Sequence, residues 1–220
     1  MKRPPDSKKN APGSHDSPPK QKRGLITRQE LLLSARKIFA RDGFEHARLE
    51  DIASDSGKTR GALYDNFKNK EEVFYAIFEQ DKERDRAELG PLLSVAPTVA
   101  TRMQALVKYL IAVSRDRERM LLNLEFKLYA IRHPRRRQRF ANLHYAICLQ
   151  DPVTELNELL EQLGRHTSRS KRIDLLAMSG IVDGLVLSHL FDPKGLSRLN
   201  LERNLKLCVN EILMASPEKA

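Results

Sequence analysis

The sequence predicts an all-α fold in which an N-terminal three-helix domain precedes a larger helical domain. Apolar residues recur at three- and four-residue steps, the spacing that buries one face of a helix. The sequence has no sustained two-residue alternation with β-branched enrichment, so we expect no sheet. Proline and glycine divide the second part of the sequence into helices. The predicted breaks are Gly90-Pro91, Pro97, Pro134, Asp151-Pro152, Gly164, Asp192-Pro193 and Pro217.

The composition indicates a soluble globular protein rather than a secreted or membrane-spanning one. Hydrophobic residues make up 40% of the 220 residues and charged residues 31%. Two cysteines are too few for a disulfide framework, which favours a reducing cytoplasm. The best candidate for a membrane span, Leu175 to Phe191, is short and contains Asp183, so we expect no membrane partner. The net charge of +10 favours a polyanionic partner such as nucleic acid or an acidic membrane surface.

Residues 1–24 are predicted to form a disordered basic tail, followed by domains at 25–75 and 76–220. The tail has seven basic and two acidic residues and almost no apolar surface to offset the entropy of ordering. Two interpretations stay open. The tail is either a solubilising leader or an arm that adds phosphate contacts to a folded domain.

The N-terminal helices have ordinary start and stop signals. They are predicted at about 27–41 and 49–54, from Thr59 onward and from Asn69 onward. Thr27 and Glu30 fit a capping box at the start of the first helix, and Gly43 ends that helix. Asn69 is followed by Glu72 at the capping-box position of the fourth helix.

Residues 49–67 have the layout of a helix-turn-helix. A tight turn at Ser56-Gly57 joins two short helices, and Leu63 and Phe67 lie one turn apart on the buried face of the second. Helices joined this closely cross steeply. The second can therefore lie in the major groove of DNA, which is about 12 Å wide.

The start of that second helix carries groups suited to DNA. Thr59 offers a hydroxyl and Arg60 a guanidinium for guanine or phosphate, while Gly61 and Ala62 leave the backbone accessible. The free amides and dipole at a helix start also favour a phosphate. Further along, outward hydrogen-bonding groups and a lysine at the next helix start strengthen this interpretation. They are Tyr64, Asn66 and Lys70.

The segment 27–74 resembles the N-terminal domain of TetR/AcrR-type transcriptional regulators almost position for position. The residues that carry the resemblance are Ala35, Phe39, Gly43-Phe44, Asp51-Ile52-Ala53, Gly57, Thr59 to Tyr64, Phe67 and Lys70-Glu71. The sequence IVDGLVLSHLFDP at 181–193 also looks like the penultimate helix of many such regulators.

The resemblance implies a homodimer that binds one pseudo-palindromic operator in double-stranded DNA. By resemblance, phosphate contacts come from Arg28, Tyr64 and Lys70. The first turn of the recognition helix would touch bases or phosphates, and one residue would lie at its far end. These residues are Thr59, Arg60, Gly61, Ala62 and Asn66.

The chain departs from the family pattern at two positions next to this motif. Arg48 replaces the usual Ser or Thr cap of the second helix, a loss of about 1 kcal/mol. It either contacts a phosphate or is simply exposed. Lys58 replaces a small apolar residue that packs under the turn. A lysine at this position suggests an extra DNA contact and a turn that is less tight than in the family.

The C-terminal domain is predicted to serve dimerisation and ligand binding. In the helix at about 168–191, Gly180, Gly184 and Ser188 recur every four residues and allow close approach of another helix, with a second copy or within the chain. The central helices contain apolar and aromatic residues that fit either a small-molecule cavity or an ordinary core. The candidate ligand residues are Tyr109, Leu122, Phe126, Tyr129, His144 and Cys148.

Two charged features of the central helices leave alternatives open. Glu125 is either an acceptor for a cationic ligand or a solvent-facing residue. The cluster of arginines at 132–139 is a solvated helix junction, an anion site or an added DNA contact.

Neither an active site nor a metal site is found, since the histidines lack metal spacing and no phosphate loop or nucleophile motif occurs. The sequence therefore predicts a ligand-responsive homodimeric repressor in the bacterial cytoplasm, associated with the nucleoid when bound. It would not be an enzyme, would need no cofactor and would have an unknown small-molecule effector. An effector-dependent activator and a sequence-indifferent nucleic-acid binder are the alternatives.

Overall fold

The computed structural model describes residues 20–148 and 153–215, with side chains at all of these except 20, 21, 136 and 143–148. Within these residues the chain is all-α, which confirms the predicted fold class. The helices are α1 Lys20–His46, α2 Leu49–Asp55, α3 Arg60–Asn66, α4 Lys70–Ser94, α5 Val99–Arg115, α6 Arg117–Arg132, α7 Pro134–Cys148, α8 Thr154–Gln162, α9 Ser168–Phe191 and α10 Arg198–Met214.

Helix α1 begins earlier than the sequence pattern predicts. It starts at Lys20 rather than Thr27, so Thr27 lies inside the helix and the predicted capping box is wrong. The segment 20–26 has no proline and consists mainly of good helix formers, which extend the helix although 22–26 are exposed. The last residues of the predicted disordered tail are therefore helical. Residues 1–19 lie outside the described part of the chain.

Gly43 breaks α1 as predicted. It has a φ of +77°, a conformation that favours glycine, and it kinks the last turn of the helix. The Glu125 carboxylate of α6 lies against this kink and accepts a hydrogen bond from the Phe44 amide at 3.3 Å. Glu125 thus fixes the end of α1 to α6, and is neither exposed nor placed in a ligand site.

The helix-turn-helix has the tight turn that the sequence predicts. Gly57 has a φ of +65°, and the amides of Gly57 and Lys58 donate to the carbonyls of Ser54 at 3.0 Å and Ala53 at 2.9 Å. Lys58 therefore does not loosen the turn. Thr59 is the N-cap of α3, and its Oγ1 accepts from the Ala62 amide at 3.1 Å.

Helix α4 is continuous where the sequence predicts both a domain boundary and a break. It runs through positions 75–76 and through Gly90-Pro91 without interruption. Pro91 removes one helical hydrogen bond, but Leu89 and Leu93 on either side are buried in the core of the C-terminal half and keep the helix in place. The break at Gly90-Pro91 is thus wrong, and α4 is shared between the two predicted domains.

One core joins the first four helices to α6 and α7. The Phe74 ring of α4 lies 5.1 Å from Phe39 and 4.7 Å from Phe44 on one side, and 5.7 Å from Phe126 on the other. Phe140 of α7 packs on Phe126 with ring centroids 5.9 Å apart. The two predicted domains therefore share a single aromatic core.

A second core holds α5, α8, α9 and α10 together with the end of α4. Arg165, only 3% exposed, pairs with Asp174 of α9 at 2.6 Å and donates to the carbonyls of Ile212 and Ala215 at the end of α10. These bonds satisfy carbonyls that a helix end leaves free. They fix the ends of α9 and α10 to each other.

Helix α9 is longer than the segment Leu175 to Phe191, which the sequence indicated was too short to span a membrane. The helix has 24 residues, and an 18-residue window of it has a mean hydropathy of 1.5, so it is long and apolar enough to cross a membrane by length and composition. Such a helix also occurs in the cores of soluble proteins. Here Leu175, Val182 and Val186 face the second core, whereas other apolar residues of α9 are exposed.

We predict that Phe74→Ala lowers the free energy of unfolding by about 3–5 kcal/mol, because it opens a cavity between the two halves of the core. Urea unfolding of the full chain measures this. Leu128→Ala is the control, since Leu128 is 44% exposed. Equal, small losses in both variants would contradict the shared core.

Candidate DNA-binding interface

Helix α3 presents its first turn to solvent while its other face is fixed in the core. Leu63 and the following Phe67 are each 1% exposed. Arg60 and Gly61 are exposed, and Tyr64 is 43% exposed. The buried pair thus orients the outward face that the sequence predicts to contact DNA.

Arg60 is held near the helix start by neighbours on its own surface. Its guanidinium lies 3.2 Å from the Glu50 carboxylate of α2 and 5.5 Å from the centroid of the Tyr64 ring. The hydrogen bond with Tyr64 and the charge of Glu50 raise the pKa of Arg60. Because the group is exposed, DNA can compete for it.

Arg28 and Asn66 are engaged inside the protein. Arg28 donates to the carbonyl of Asn66 at 3.0 Å, and its guanidinium lies 4.3 Å from the Phe67 ring centroid. The Asn66 amide donates back to the Ala62 carbonyl at 2.8 Å. These contacts tie α1 to the end of α3, so both residues position the recognition helix whether or not they also touch DNA.

In the fold, carbonyl oxygens offset the charge of Lys70 at the start of α4. Its Nζ donates to the carbonyls of Glu45 at 2.9 Å and Ala47 at 3.1 Å, and lies 4.8 Å from the Phe44 ring centroid. Burial lowers the pKa of Lys70. Lys70 therefore links α4 to the end of α1 at the edge of the predicted interface.

The two departures from the family pattern have different surroundings. Arg48 is exposed, and its side chain does not cap α2. Lys58 pairs with Glu30 of α1 at 2.6 Å and is half-buried. Arg48 is thus available to a phosphate, whereas Lys58 first has to leave Glu30.

Lys68, which the sequence pattern did not identify, lies in the turn between α3 and α4. Its amide donates to Glu72 at 2.7 Å, which fixes the turn, while its side chain is exposed and makes no ion pair among the described residues. Its place two residues before Lys70 in this turn is the signal that could have identified it. We add Lys68 to the candidate phosphate contacts.

The candidate ligand residues do not form one site. Tyr109 lines a cavity of about 210 Å³ between α4, α5, α6 and α9. Leu122, Phe126 and Tyr129 belong instead to the shared aromatic core, because α6 packs on α1 and α4 through that face. The side chains of His144 and Cys148 lie outside the described residues.

The polar end of the cavity is an ion-pair network that reaches α1. Its charged members include Asp81, Asp85, Arg119 and Arg36 of α1. Asp81, 5% exposed, binds Arg36 at 2.6 Å, and Arg119 binds Asp85 at 2.6 Å. Tyr109 donates to Asp85, and burial together with this carboxylate raises the pKa of Tyr109. Burial by itself would lower the pKa of Arg119, but its carboxylate partners outweigh that effect and raise it.

Comparison with known proteins supports the interpretation of α2 and α3 as a helix-turn-helix that binds DNA. Residues 31–77 match the family model "Bacterial regulatory proteins, tetR family". The repressor AcnR of Corynebacterium efficiens is 40% identical over 58 residues, which cover 26% of this chain and 31% of AcnR. The chain thus aligns with less than a third of the length of that relative.

Similarity over most of the chain is weaker in sequence. The regulator AcrR of Shigella flexneri is 26% identical over 211 residues, which cover 87% of this chain and 91% of AcrR. The solved structure of Bacillus subtilis FadR, a transcriptional regulator in complex with stearoyl-CoA, has a TM-score of 0.60 and 16% identity. That match covers 86% of this chain and 98% of FadR, and it shows that the two share a fold.

We predict that Lys70→Ala lowers the free energy of unfolding by roughly 1–2 kcal/mol, because two carbonyls lose their donor. Lys68→Ala should leave stability unchanged and weaken binding to all DNA, with the salt slope lower by about 0.9 for each phosphate that the variant no longer neutralises. Thermal melts and binding titrations at several salt concentrations measure both. A stable Lys70→Ala variant would show that these carbonyls do not need the lysine.

Proposed function

We propose that the chain is a ligand-responsive homodimeric repressor that binds a palindromic operator, since residues 31–77 match the family model of TetR regulators. The observation that carries this proposal is the geometry of α3. Leu63 and Phe67 anchor the helix, the turn before it is tight, and its exposed first turn presents Thr59, Arg60 and Gly61. A helix held in this way can enter the major groove. The protein would act in the bacterial cytoplasm.

Dimerisation through α9 and α10 would bring two recognition helices to one operator. Several large apolar side chains on these helices are exposed. They are Ile173, Leu176, Leu187, Phe191, Leu199, Leu207 and Met214. A Cβ built on Gly180 or Gly184 meets nothing within 4 Å, so both glycines face open space that a second copy can approach. Burial of this apolar surface favours association.

The cavity at α4 would hold the effector. Its volume of about 210 Å³ fits a small molecule, and its walls combine apolar residues with the charged network. A ligand that binds Asp85 or Tyr109 would disturb Arg119, which also lies 3.8 Å from Asp81, the partner of Arg36 in α1. Such a ligand releases DNA only to the extent that it binds the released state more tightly.

Selection of bound sequences from random duplex DNA by the purified full chain, at about 0.15 M salt, tests DNA binding directly. We expect an inverted repeat whose half-sites lie about 34 Å apart, one turn of DNA. A pool without enrichment, both with and without candidate effectors, would contradict the operator and favour sequence-indifferent binding. If a repeat is recovered, a reporter gene that carries it distinguishes repression from activation. Lower expression in the presence of the protein indicates repression, and higher expression indicates activation.

We predict that Arg60→Ala costs about 1–3 kcal/mol on the selected repeat and relaxes the preference at one position of each half-site. Arg48→Ala is the control, because the loss of a phosphate contact weakens binding to all sequences alike. Binding titrations with selected and scrambled duplexes measure both variants. Equal loss on both duplexes for Arg60→Ala would remove Arg60 from base recognition.

We predict that Gly184→Leu converts the dimer into a folded monomer, because the added side chain blocks the approach of the second α9. Gly24→Leu is a matched control, since Gly24 is also a helical glycine with nothing within 4 Å of an added Cβ. Sedimentation velocity gives the mass and circular dichroism checks folding. A Gly184→Leu dimer would place the interface elsewhere.

A further inference from the structure

The corner between α6 and α7 carries a dense positive charge. Residues 132–139 contain five arginines and one histidine and have no acidic residue. The corner arginines with described side chains are Arg132, Arg135, Arg137 and Arg139, and all four are exposed. Operator recognition by α3 makes no use of them.

Three of the corner arginines have no carboxylate partner among the described residues. Arg135, Arg137 and Arg139 make no ion pair there, whereas many other arginines, such as Arg36 and Arg119, are paired with acids. Neighbouring like charges repel each other, and an anion would relieve this repulsion. Since the groups are already in water, a polyanion can bind them without burying unpaired charge.

The corner adjoins the predicted DNA-binding interface through one residue of α1. The Glu45 carbonyl accepts from Lys70 at 2.9 Å, while the Glu45 carboxylate lies 3.9 Å from Arg132 and 3.7 Å from His133. Lys70 is a candidate phosphate contact at the start of α4. The corner therefore begins within one residue of the edge of that interface.

Helix α7 continues along the start of α4. Phe140 of α7 lies 6.5 Å from Tyr75, measured between ring centroids. Tyr75 is five residues after Lys70, which is about 7.5 Å along a helix. The corner arginines thus lie at the side of the interface rather than at the far end of the molecule.

We propose that the corner arginines bind phosphates of the duplex that flanks each half-site, outside the base pairs reached by α3. The inference rests on the proposed function, because it needs the start of α4 to face DNA. Guanidinium groups stay charged at all relevant pH values and pair well with phosphate. Such contacts add affinity and salt dependence without sequence preference.

The test compares two triple variants of the full chain, each of which loses three positive charges. One replaces Arg135, Arg137 and Arg139 by serine. The control replaces three charged residues distant from the corner by serine: Lys108, Arg117 and Lys194, which are exposed and make no ion pair among the described residues. Each protein is titrated with the selected repeat alone and with the repeat extended by about one turn of DNA, roughly 10 base pairs, on each side.

We expect wild type and control to bind the extended duplex more tightly and with a steeper salt slope than the repeat alone. The corner variant should lose this gain, with the slope lower by about 0.9 for each phosphate that it no longer neutralises, and should match wild type on the repeat alone. Replacing the same three arginines by lysine should keep most of the slope, because the charge remains.

Three results would overturn the inference while leaving the operator intact. They are an unchanged slope in the corner variant, an equal loss in the control variant, and an equal loss on both duplexes. A wild-type chain that binds no duplex would overturn the proposed function itself, and this inference with it.

Discussion

The position of the recognition helix depends on aromatic packing that the DNA-binding helices do not complete by themselves. Phe74 contacts Phe39 and Phe44 on the N-terminal side and Phe126 on the C-terminal side. Because close-packed rings transmit displacement, a shift of α6 moves the partners of α3 as well. Glu125 adds a polar tie at the same junction through the Phe44 amide. The aromatic rings and this hydrogen bond thus join the two halves of the molecule.

Buried charge imposes a second constraint beside this core. Asp81 is 5% exposed, and a buried carboxylate needs partners, which Arg36 and Arg119 provide from different helices. Since Asp81 also lines the cavity, the cavity wall and α1 share one set of ion pairs. In the proposed function, this sharing is the route by which a bound effector alters DNA binding. Its direction depends on which state the effector prefers.

Local signals in the sequence predicted the helices well, and the failures have physical causes. Caps and breaks that act within a few residues, such as Thr59 and Gly43, are where the sequence placed them. The capping box predicted at Thr27 and the helix break predicted at Pro91 were wrong, because neither residue type is sufficient to start or end a helix. Good helix formers before Thr27 extend α1, and packing on both sides of Pro91 keeps α4 intact. Contacts between residues far apart in the sequence have no comparable local signal, so the sequence did not predict them.

The sequence by itself determined the all-α class, the helix-turn-helix and the outward face of α3, because periodicity and caps are local properties. The tertiary structure decided which residues share a surface. It placed Phe126 and Tyr129 in the core instead of a ligand site, and it gave Lys70 two carbonyl partners. The same packing brought Arg132 and His133 of the corner to Glu45 at the end of α1, beside the predicted DNA-binding interface. Such contacts join residues far apart in the chain, so their positions depend on how all the helices pack together.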